Sequence, residues 1–504
     1  MRKSTTMHNL QNSALDLKAP LHFVTILGIG IVTILPFTKP AYAAGVVGTG
    51  TPASCTEAAL NTALNGGGTV TFNCGASAYT IAIAKEKAIS ANTVIDGGNL
   101  ITLNGGGKTR IFSTGSIQFT VKNLTIANGF TADQGGGILS GYRSTLTVSN
   151  CKFNNNVSTK GGTFDGGGAI YISSESTATI DKSTFTGNTA GNGGAINNLL
   201  SDLTVTNSTF TGNKSVISGP SGGGGGAIYI DGGKGSSGKI AINGSTFTNN
   251  TAVFQGGTIF VQLYDSNTMI LDKSTISGSS VTGSGNQGLG GGIFVVGNGT
   301  SPTLTVTNTT ISGNSASNQG GGIWNGNNIT VNITNSTIAN NKAISADGKG
   351  GLGGGIMRTS GKMTIVNSTI AGNTAGFQGG GIIGDSNVTL KNTIIANNKA
   401  NNGGNNWNIK NNCFDSMTNG GNNLQFPAKN QNDPSDKDCV SGITTADPKL
   451  GALANNGGTT QTMALLTGSG AINIGNNATC STTDQRGIAR PQGSSCDAGA
   501  FEAK

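Results

Sequence analysis

The chain has 504 residues, of which 84 are Gly and only 10% are charged, with a formal net charge of +8. Gly is a poor helix former and long runs of Ala, Leu, Glu and Lys are absent, which argues against a helical enzyme core. Disorder is also disfavoured, because 35% of the residues are hydrophobic and the large apolar residues recur at fixed places. The composition therefore favours turn-rich β structure.

The N-terminal segment has the pattern of a secretory signal. Arg2 and Lys3 precede an apolar run over residues 21–37, and Ala-Tyr-Ala at 41–43 is a small-x-small cleavage site. We predict that residues 1–43 are a signal peptide, so the protein is secreted or lies at the cell surface. The alternative is a retained membrane anchor, since 17 residues are at the lower limit for a spanning helix. Membrane contact is expected only there.

Removal of this segment leaves 26 basic and 21 acidic residues, a net charge of +5. This charge is mild and dispersed, so no nucleic-acid partner is predicted. Both histidines, His8 and His22, are also removed, which excludes Ser-His catalysis and His-ligated metal in the mature chain. The Gly107-Lys108-Thr109 sequence lacks the earlier Gly of a phosphate loop, because residue 102 is Thr, so no nucleotide site is predicted.

Seven cysteines suit an oxidising compartment. Six of them form pairs that are close enough in sequence to staple the two ends: Cys55 with Cys74, Cys413 with Cys439, and Cys480 with Cys496. Cys151 remains beside an apolar strand, and we expect a buried free thiol there rather than a nucleophile. Short Cys-x-x-Cys spacings are absent from the sequence, so no metal site is predicted.

Residues 44–75 are predicted to form an N-terminal cap and a first strand. Ser54-Cys55-Thr56-Glu57 is a capping-box pattern, which predicts a short helix through Leu64 that ends at Gly66. A stack of parallel strands has an unpaired edge at each end. We expect this helix to cover the first one.

Residues 76–412 are predicted to form the repeats of a β-helix, because one short phrase recurs from residue 123 onward with a mean period of about 30 residues. Such a period is typical of a solenoid. The phrase ends in Phe or Ile at Ile126, Phe153, Phe185, Phe210, Phe247, Ile276, Ile311, Ile338, Ile370 and Ile395.

Two further phrases recur in each repeat. One is Gly-Gly-Ala-Ile or Gly-Gly-Gly-Ile, and the other alternates apolar and polar residues, as in Leu203-Thr204-Val205-Thr206. Alternation with a period of two indicates a strand with one buried face. Three short strands per repeat, separated by Gly and Asn corners, predict an all-β parallel β-helix with one continuous core.

Asn occurs three residues after most of these Phe and Ile positions. We interpret the series as corners and as a stacked amide ladder along the axis. The alternative is N-glycosylation, since many copies read Asn-Ser-Thr, but the periodicity favours the structural role. The residues are Asn156, Asn188, Asn213, Asn250, Asn314, Asn341, Asn373 and Asn398.

Three stretches resemble known families. Residues 54–72 and the coils that follow resemble the pectate-lyase-like right-handed parallel β-helix superfamily. The phrases at 185–188 and 193–196 are similar to polymorphic outer membrane protein repeats. The tail, with Ala-Asp-Pro-Lys-Leu-Gly at 446–451, Thr-Asp-Gln-Arg-Gly at 483–487 and Cys-Asp-Ala-Gly-Ala-Phe-Glu at 496–502, resembles a choice-of-anchor Q domain.

These resemblances imply a right-handed β-helix of about 10–12 coils, closed by residues 413–504, in a bacterial exported surface protein that is often adhesin-like. The printed sequence continues for two residues past the last motif without a sorting signal. It therefore gives no basis for expecting covalent anchoring.

The residue after the buried Ile of each Gly-Gly phrase should face outward. In coil order these residues are Leu139, Tyr171, Asn197, Tyr229, Phe260, Phe294, Trp324, Met357 and Ile383. We predict that Tyr171, Tyr229, Phe260, Phe294, Trp324 and Met357 bind a ligand, because a row of rings can stack sugars or dock a partner. The alternative is that insertions at 158–165, 214–224 and 279–289 cover the row.

Catalysis has weaker support in the sequence. Pectate-lyase-like enzymes need clustered carboxylates together with a basic residue or calcium. Asp165, Asp231, Asp265 and Asp385 lie near the Gly-Gly strands but in different coils. The sequence leaves open whether any two of them approach each other.

Two acidic clusters near the C-terminus have a structural interpretation. Asp433, Asp436 and Asp438 lack the Gly and distal Glu of a helix-loop-helix calcium site, so we interpret them as a solvated turn and predict no cofactor, with calcium as a weak alternative. A second group is interpreted as an ion-paired network that fixes the final turn. It consists of Asp484, Arg486, Asp497 and Glu502.

The sequence thus favours a non-catalytic surface or extracellular protein that binds glycans or another surface protein. A polysaccharide lyase or glycoside hydrolase is the second hypothesis. A purely structural surface spacer is the third.

Overall fold

The computed structural model describes residues 45–216, 223–284 and 287–504. The predicted signal segment at 1–43 lies outside this part of the chain. Within the described ranges, no helix is both long and apolar enough to cross a membrane.

The chain winds into a parallel β-solenoid of about 13 turns, which confirms the predicted fold class. Each complete repeat contributes strands to three parallel sheets, which we call sheets 1, 2 and 3. The stack has slightly more turns than the 10–12 expected, because short strands in the N-terminal cap and in the closing region also pair with it.

In the part of the chain that the structure describes, sheet 1 has 26 strands in two arms that meet at a corner in each coil. The strands of the first arm, some of which continue into the second, are Gly45–Val47, Gly68–Phe72, Thr93–Asn104, Gln118–Ala127, Thr145–Ser149, Thr177–Asp181, Asp202–Thr206, Lys239–Asn243, Thr268–Asp272, Thr303–Thr307, Thr330–Thr334, Lys362–Val366, Val388–Lys391 and Thr418–Asn419. Those of the second arm are Tyr79–Ala82, Lys152–Asn154, Thr184–Thr186, Thr209–Thr211, Thr246–Thr248, Thr275–Ser277, Thr310–Ser312, Thr337–Ala339, Thr369–Ala371, Ile394–Ala396, Leu424–Phe426 and Thr444–Thr445.

Sheets 2 and 3 complete the triangular coil. Sheet 2 has ten two-residue strands: Phe130–Thr131, Val157–Ser158, Thr189–Ala190, Lys214–Ser215, Thr251–Ala252, Ser280–Val281, Ser315–Ala316, Lys342–Ala343, Thr374–Ala375 and Lys399–Ala400. Sheet 3 has eleven strands: Lys87–Ile89, Phe112–Thr114, Ile138–Ser140, Ile170–Ile172, Ile196–Leu199, Ile228–Asp231, Ile259–Tyr264, Ile293–Asn298, Ile323–Gly326, Ile356–Arg358 and Ile382–Ile383.

The predicted cap helix, α1, spans Glu57–Leu64 and packs its buried Leu60 against the core. Its N-cap is Thr56, whose side chain accepts a hydrogen bond from the Ala59 backbone at 3.1 Å, and not Ser54 as the capping-box pattern suggested. The second hydrogen bond of a capping box, from a backbone N–H to the Glu57 side chain, is not formed with Ser54, because the Glu57 carboxylate is paired with Lys87 of sheet 3.

The core is a set of ladders with one residue from each coil. Phe153, Phe185, Phe210 and Phe247 stack at centroid distances of 4.8, 4.6 and 4.7 Å, which is close to the spacing between strands. From residue 276 onward Ile takes this position, fully buried as the Phe rings are. The recurring phrase therefore sets one core column of the whole solenoid.

The periodic Asn residues perform two separate tasks. Asn213 is fully buried and bonds along the axis, accepting from the Asn188 amide at 2.9 Å and donating to Asn250 at 3.0 Å. This is the predicted amide ladder. The left-handed corner is occupied by other residues, such as Asn207 with φ of 50°, because the corner and the ladder are different positions in the coil.

Glycine in the Gly-Gly phrase is required by close packing between coils. Gly193 has φ of 56°, a conformation that L side chains rarely adopt. A Cβ at Gly194 would collide with the carbonyl oxygen of Gly226 in the next coil. The phrase therefore allows neighbouring coils to approach at this point, just before each strand of sheet 3.

The closing region extends the solenoid and then turns back along its side. After Thr444–Thr445 the chain forms an antiparallel hairpin of Leu450–Ala454 and Thr462–Leu465. The following segment lies on the outer side of the second arm of sheet 1. Thr337 donates to the Gln485 side chain at 2.7 Å, and the Ala500 backbone donates to Thr369 at 3.0 Å.

The outward residues of the second arm change where this segment covers them. Thr186 and Thr248 stand in one column that is at least partly exposed, whereas Ala339 and Ala371 occupy the same column as buried residues. A small apolar residue suits a surface that another part of the chain covers. The change from Thr to Ala marks in the sequence where the closing segment lies.

Candidate ligand-binding groove

The predicted aromatic row points outward but is not an open surface. Tyr171, Tyr229, Phe260 and Phe294 are only 3–7% exposed. The rings of Tyr229, Phe260, Phe294 and Trp324 stack on one another at 4.4, 5.1 and 4.6 Å, so the row forms a second ladder outside sheet 3.

Part of the cover comes from a position that recurs just before each Gly-Gly phrase. The backbone of Gly224 lies against the rings of Tyr229 and Phe260, and Leu289 packs in the same cluster. These two residues are the last of the insertions predicted at 214–224 and 279–289, and cover by the rest of those insertions stays a prediction. Only Trp324 and Met357 of the six proposed residues keep an intermediate exposure, and ligand binding by these two stays a prediction.

A groove lies on the same outward face, beyond the aromatic row along each strand. Its volume is about 690 Å³, which is within the usual range for ligand pockets. It crosses several coils because strands Ile196–Leu199, Ile228–Asp231, Ile259–Tyr264 and Ile293–Asn298 end beside one another in register. The principal side chains along it are Phe164, Glu175, Leu199, Leu200, Asp231, Tyr264, Asp265 and Asn298.

Asp231 is the most deeply placed polar group of the groove. Its side chain follows Tyr229 by two residues, so both point away from the core. The residue is 2% exposed, and its Oδ1 accepts a hydrogen bond from the Tyr264 hydroxyl at 2.6 Å. Burial raises the pKa of the Asp231 carboxyl, and the Tyr264 bond offsets this only in part.

Tyr264 is held in place by a second contact. The Gln262 side-chain amide donates to the Tyr264 hydroxyl at 2.6 Å. Burial, reinforced by the Asp231 carboxylate, raises the pKa of Tyr264, so the phenol stays protonated and acts as the donor. The ring also lines the groove, which gives the site an aromatic face beside a carboxylate.

The sequence left open whether any of Asp165, Asp231, Asp265 and Asp385 approach one another, and in the structure these four carboxylates occupy three separate places. Asp231 and Asp265 line the same groove. Asp165 instead accepts from Gln134 at 2.6 Å, and Asp385 is paired with Arg358 at 2.8 Å. Only two of the four therefore share a site.

Sequence reasoning missed Glu175, Tyr264 and the leucines of the groove. Tyr264 belongs to a six-residue strand, Ile259–Tyr264, whose alternation places Phe260, Gln262 and Tyr264 on one face. That alternation is visible in the sequence, but only Phe260 was predicted to face outward. Glu175 lies in a turn with φ of 61°, for which the repeat gave no signal.

The three predicted disulfides are present, and they join Cys55 to Cys74, Cys413 to Cys439 and Cys480 to Cys496. Cys151 is a free buried thiol as expected, and burial raises its pKa to about 11, which makes it a poor nucleophile at neutral pH.

The acidic clusters near the C-terminus form ion pairs with basic residues of the same region. Asp438 is paired with Lys429 at 3.0 Å, and Asp484 with Arg486 at 2.7 Å. Glu502 pairs with the buried Arg490 at 2.8 Å. Arg490 is a member of this ion-paired network that the sequence analysis did not identify. In the described ranges, no group of three or more Cys, Asp and Glu side chains is arranged to hold a metal ion.

Comparison with known proteins places these features in a β-helix context. The family model described as "Right handed beta helix region" matches residues 79–308, in agreement with the predicted handedness. The crystal structure of pectate lyase Pel9A is similar to this chain at 15% sequence identity and a TM-score of 0.35, with 89% of this chain and 91% of that chain covered. No curated protein matches the sequence.

Proposed function

We propose that this protein is an exported β-helix that binds glycans without cleaving them, in the manner of a surface adhesin. The observation that carries the proposal is the groove, which combines apolar walls, two aromatic rings and several hydrogen-bonding side chains across successive coils. Sugars present both apolar ring faces and hydroxyl groups, and a site of this composition can contact both.

Other features support the location. Three disulfides are typical of proteins that fold in an oxidising compartment. The signal pattern at 1–43 and the resemblance of the tail to a choice-of-anchor Q domain favour export to the cell surface. A protein partner at the surface stays an alternative occupant of the groove.

The test is a glycan array followed by calorimetry with the positive ligands. Leu200→Asn should weaken binding at least tenfold, because Leu200 is 38% exposed on the wall of the groove and Asn tolerates its φ of 44°. Trp407→Ala is the matched control, because Trp407 is 66% exposed and does not line the groove. Equal binding by both variants would mean that the ligand binds elsewhere. If neither a glycan nor a surface protein binds, the result would favour the spacer hypothesis.

A polysaccharide hydrolase is the second candidate. The specific observation is Asp231, a buried carboxyl with a raised pKa that shares the groove with Glu175 and Asp265. Glycoside hydrolases use two carboxyl groups, one of them kept protonated by its surroundings. Incubation of array-positive polysaccharides with the protein, scored for new reducing ends, decides between binding and cleavage, and Asp231→Asn is the inactive control.

A further inference from the structure

We propose that the groove is selective for an ammonium-bearing glycan, meaning an oligosaccharide of amino sugars whose nitrogen is not acylated. This inference rests on the proposed function, since it names the ligand class of the same groove. The argument depends on the charges that line the groove and on the pairing of Asp231.

All charged side chains that line the groove are acidic. They are Glu175, Asp231 and Asp265, and the remaining lining residues are neutral. Lys234 is nearby in sequence but is exposed, and its backbone N–H donates to the Asp202 side chain at 3.2 Å. Like charges oppose each other across an interface, so this lining disfavours an acidic polysaccharide.

Asp231 lacks the basic partner that two buried carboxylates of the closing segment have. Asp484 is paired with Arg486 at 2.7 Å and Glu502 with Arg490 at 2.8 Å, and both carboxylates are at most 1% exposed. Within the described ranges, no Lys or Arg forms an ion pair with Asp231, and the Tyr264 hydroxyl donates to its Oδ1. A buried carboxylate without a cation is unfavourable, and a ligand ammonium group would supply the missing charge together with hydrogen bonds to Oδ2.

The surroundings of Asp231 fit a sugar ring rather than a small amine alone. Tyr264 presents its ring beside the carboxylate that it bonds, and Leu199 and Leu200 provide an apolar wall. Asn298 and Asp265 at the rim can accept from hydroxyl groups. A pyranose with an ammonium substituent satisfies the ring face, the wall and the carboxylate together.

The experiment compares three tetrasaccharides by calorimetry: a glucosamine tetramer, the corresponding N-acetylglucosamine tetramer and a galacturonic acid tetramer. The first two share a backbone and differ in the charge of the nitrogen. We expect the glucosamine tetramer to bind at least tenfold more tightly than the N-acetylated one, and the galacturonic acid tetramer to bind least.

Variants assign this preference to Asp231. Asp231→Asn, which keeps an acceptor for Tyr264, should remove the preference for the charged tetramer, so that the affinities of this variant for the two tetramers lie within about twofold of each other. Asp385→Asn is the matched control, since this carboxylate lies on another coil. If Asp231→Asn does not fold, Glu175→Gln, on the same groove, should reduce the preference severalfold.

The outcomes separate the two proposals. If the N-acetylated tetramer binds as tightly as the charged one and Leu200→Asn weakens both, the groove binds glycans but the selectivity proposal is wrong. If no oligosaccharide binds in a way that depends on Leu200, both proposals fail. A preference for the charged tetramer that persists in Asp231→Asn would also overturn the inference.

Discussion

Tyr264 donates its hydroxyl hydrogen to the buried carboxylate of Asp231 over 2.6 Å, although the two residues lie on neighbouring coils. Within the described part of the chain, no Lys or Arg forms an ion pair with Asp231, so the Tyr264 hydroxyl is the group that stabilises its charge. The pair has direct consequences for the pH dependence of stability.

Asp231→Asn should stabilise the protein at neutral pH. Burial raises the pKa of Asp231 in the folded state above its ordinary value, so wild type loses stability as the pH rises through the folded pKa, whereas Asn does not titrate. The gain should be present at pH 7 and close to zero below the unfolded pKa. Denaturant unfolding at pH 3 and pH 7 measures it, and a gain that is larger at acid pH would contradict it.

Asn197→Leu should also stabilise the protein. Asn197 is fully buried between Tyr171 and Tyr229 in adjacent coils, and neither polar atom of its side chain has a hydrogen-bond partner. Replacing an unsatisfied buried amide by an apolar side chain should gain about 1–3 kcal/mol. Thermal unfolding tests this, and a lower melting temperature would show that the amide has a partner in solution.

The aromatic ladder outside sheet 3 should matter for stability more than for binding. Phe260→Ser removes a ring enclosed between Tyr229 and Phe294 and should cost about 3–5 kcal/mol. Trp324→Ser should cost less, because Trp324 stacks on Phe294 alone and is partly exposed. Denaturant midpoints of the two variants give the comparison, and equal losses would refute the assigned burial.

The two classes of Asn should respond differently to substitution. Asn213→Ala breaks the buried amide ladder on both sides and should cost about 2–4 kcal/mol, because it leaves neighbouring polar groups unsatisfied. Asn207→Gly, at a left-handed corner, should be close to neutral, since Gly adopts positive φ freely. Similar losses for both would mean that the two positions have one common role.

Glu502→Gln should loosen the closing segment. Glu502 pairs with Arg490 at 2.8 Å, and both side chains are 1% exposed, so the substitution leaves a buried charge unpaired at a cost of about 3–5 kcal/mol. We expect faster proteolysis after residue 446 and an intact solenoid, read by limited proteolysis with mass spectrometry. Lys437→Met, which removes an exposed pair with Asp415, is the control and should change little.

Much of this protein was determined by local periodicity. The recurrence of Phe and Ile, the alternation in strands such as Asp202–Thr206 and the Asn series predicted the solenoid, its core column and its amide ladder. This succeeded because each coil repeats the same contacts with its neighbours, so a sequence period is also a spatial period. The disulfide pairs followed because their cysteines are close in sequence.

Only the tertiary structure decided what covers each face. The rings of the aromatic row pack against one another and against Gly224 and Leu289, and residues near Gln485 cover the side of the later coils. The burial of an outward residue depends on what packs on it, and the path of the closing segment is specified by no period. The groove is of the same kind: it combines Asp231 with Tyr264, which are 33 residues apart, and with Glu175 in a turn. Proximity of residues from different coils is set by register and by loop length, and neither is encoded at a single position of the repeat.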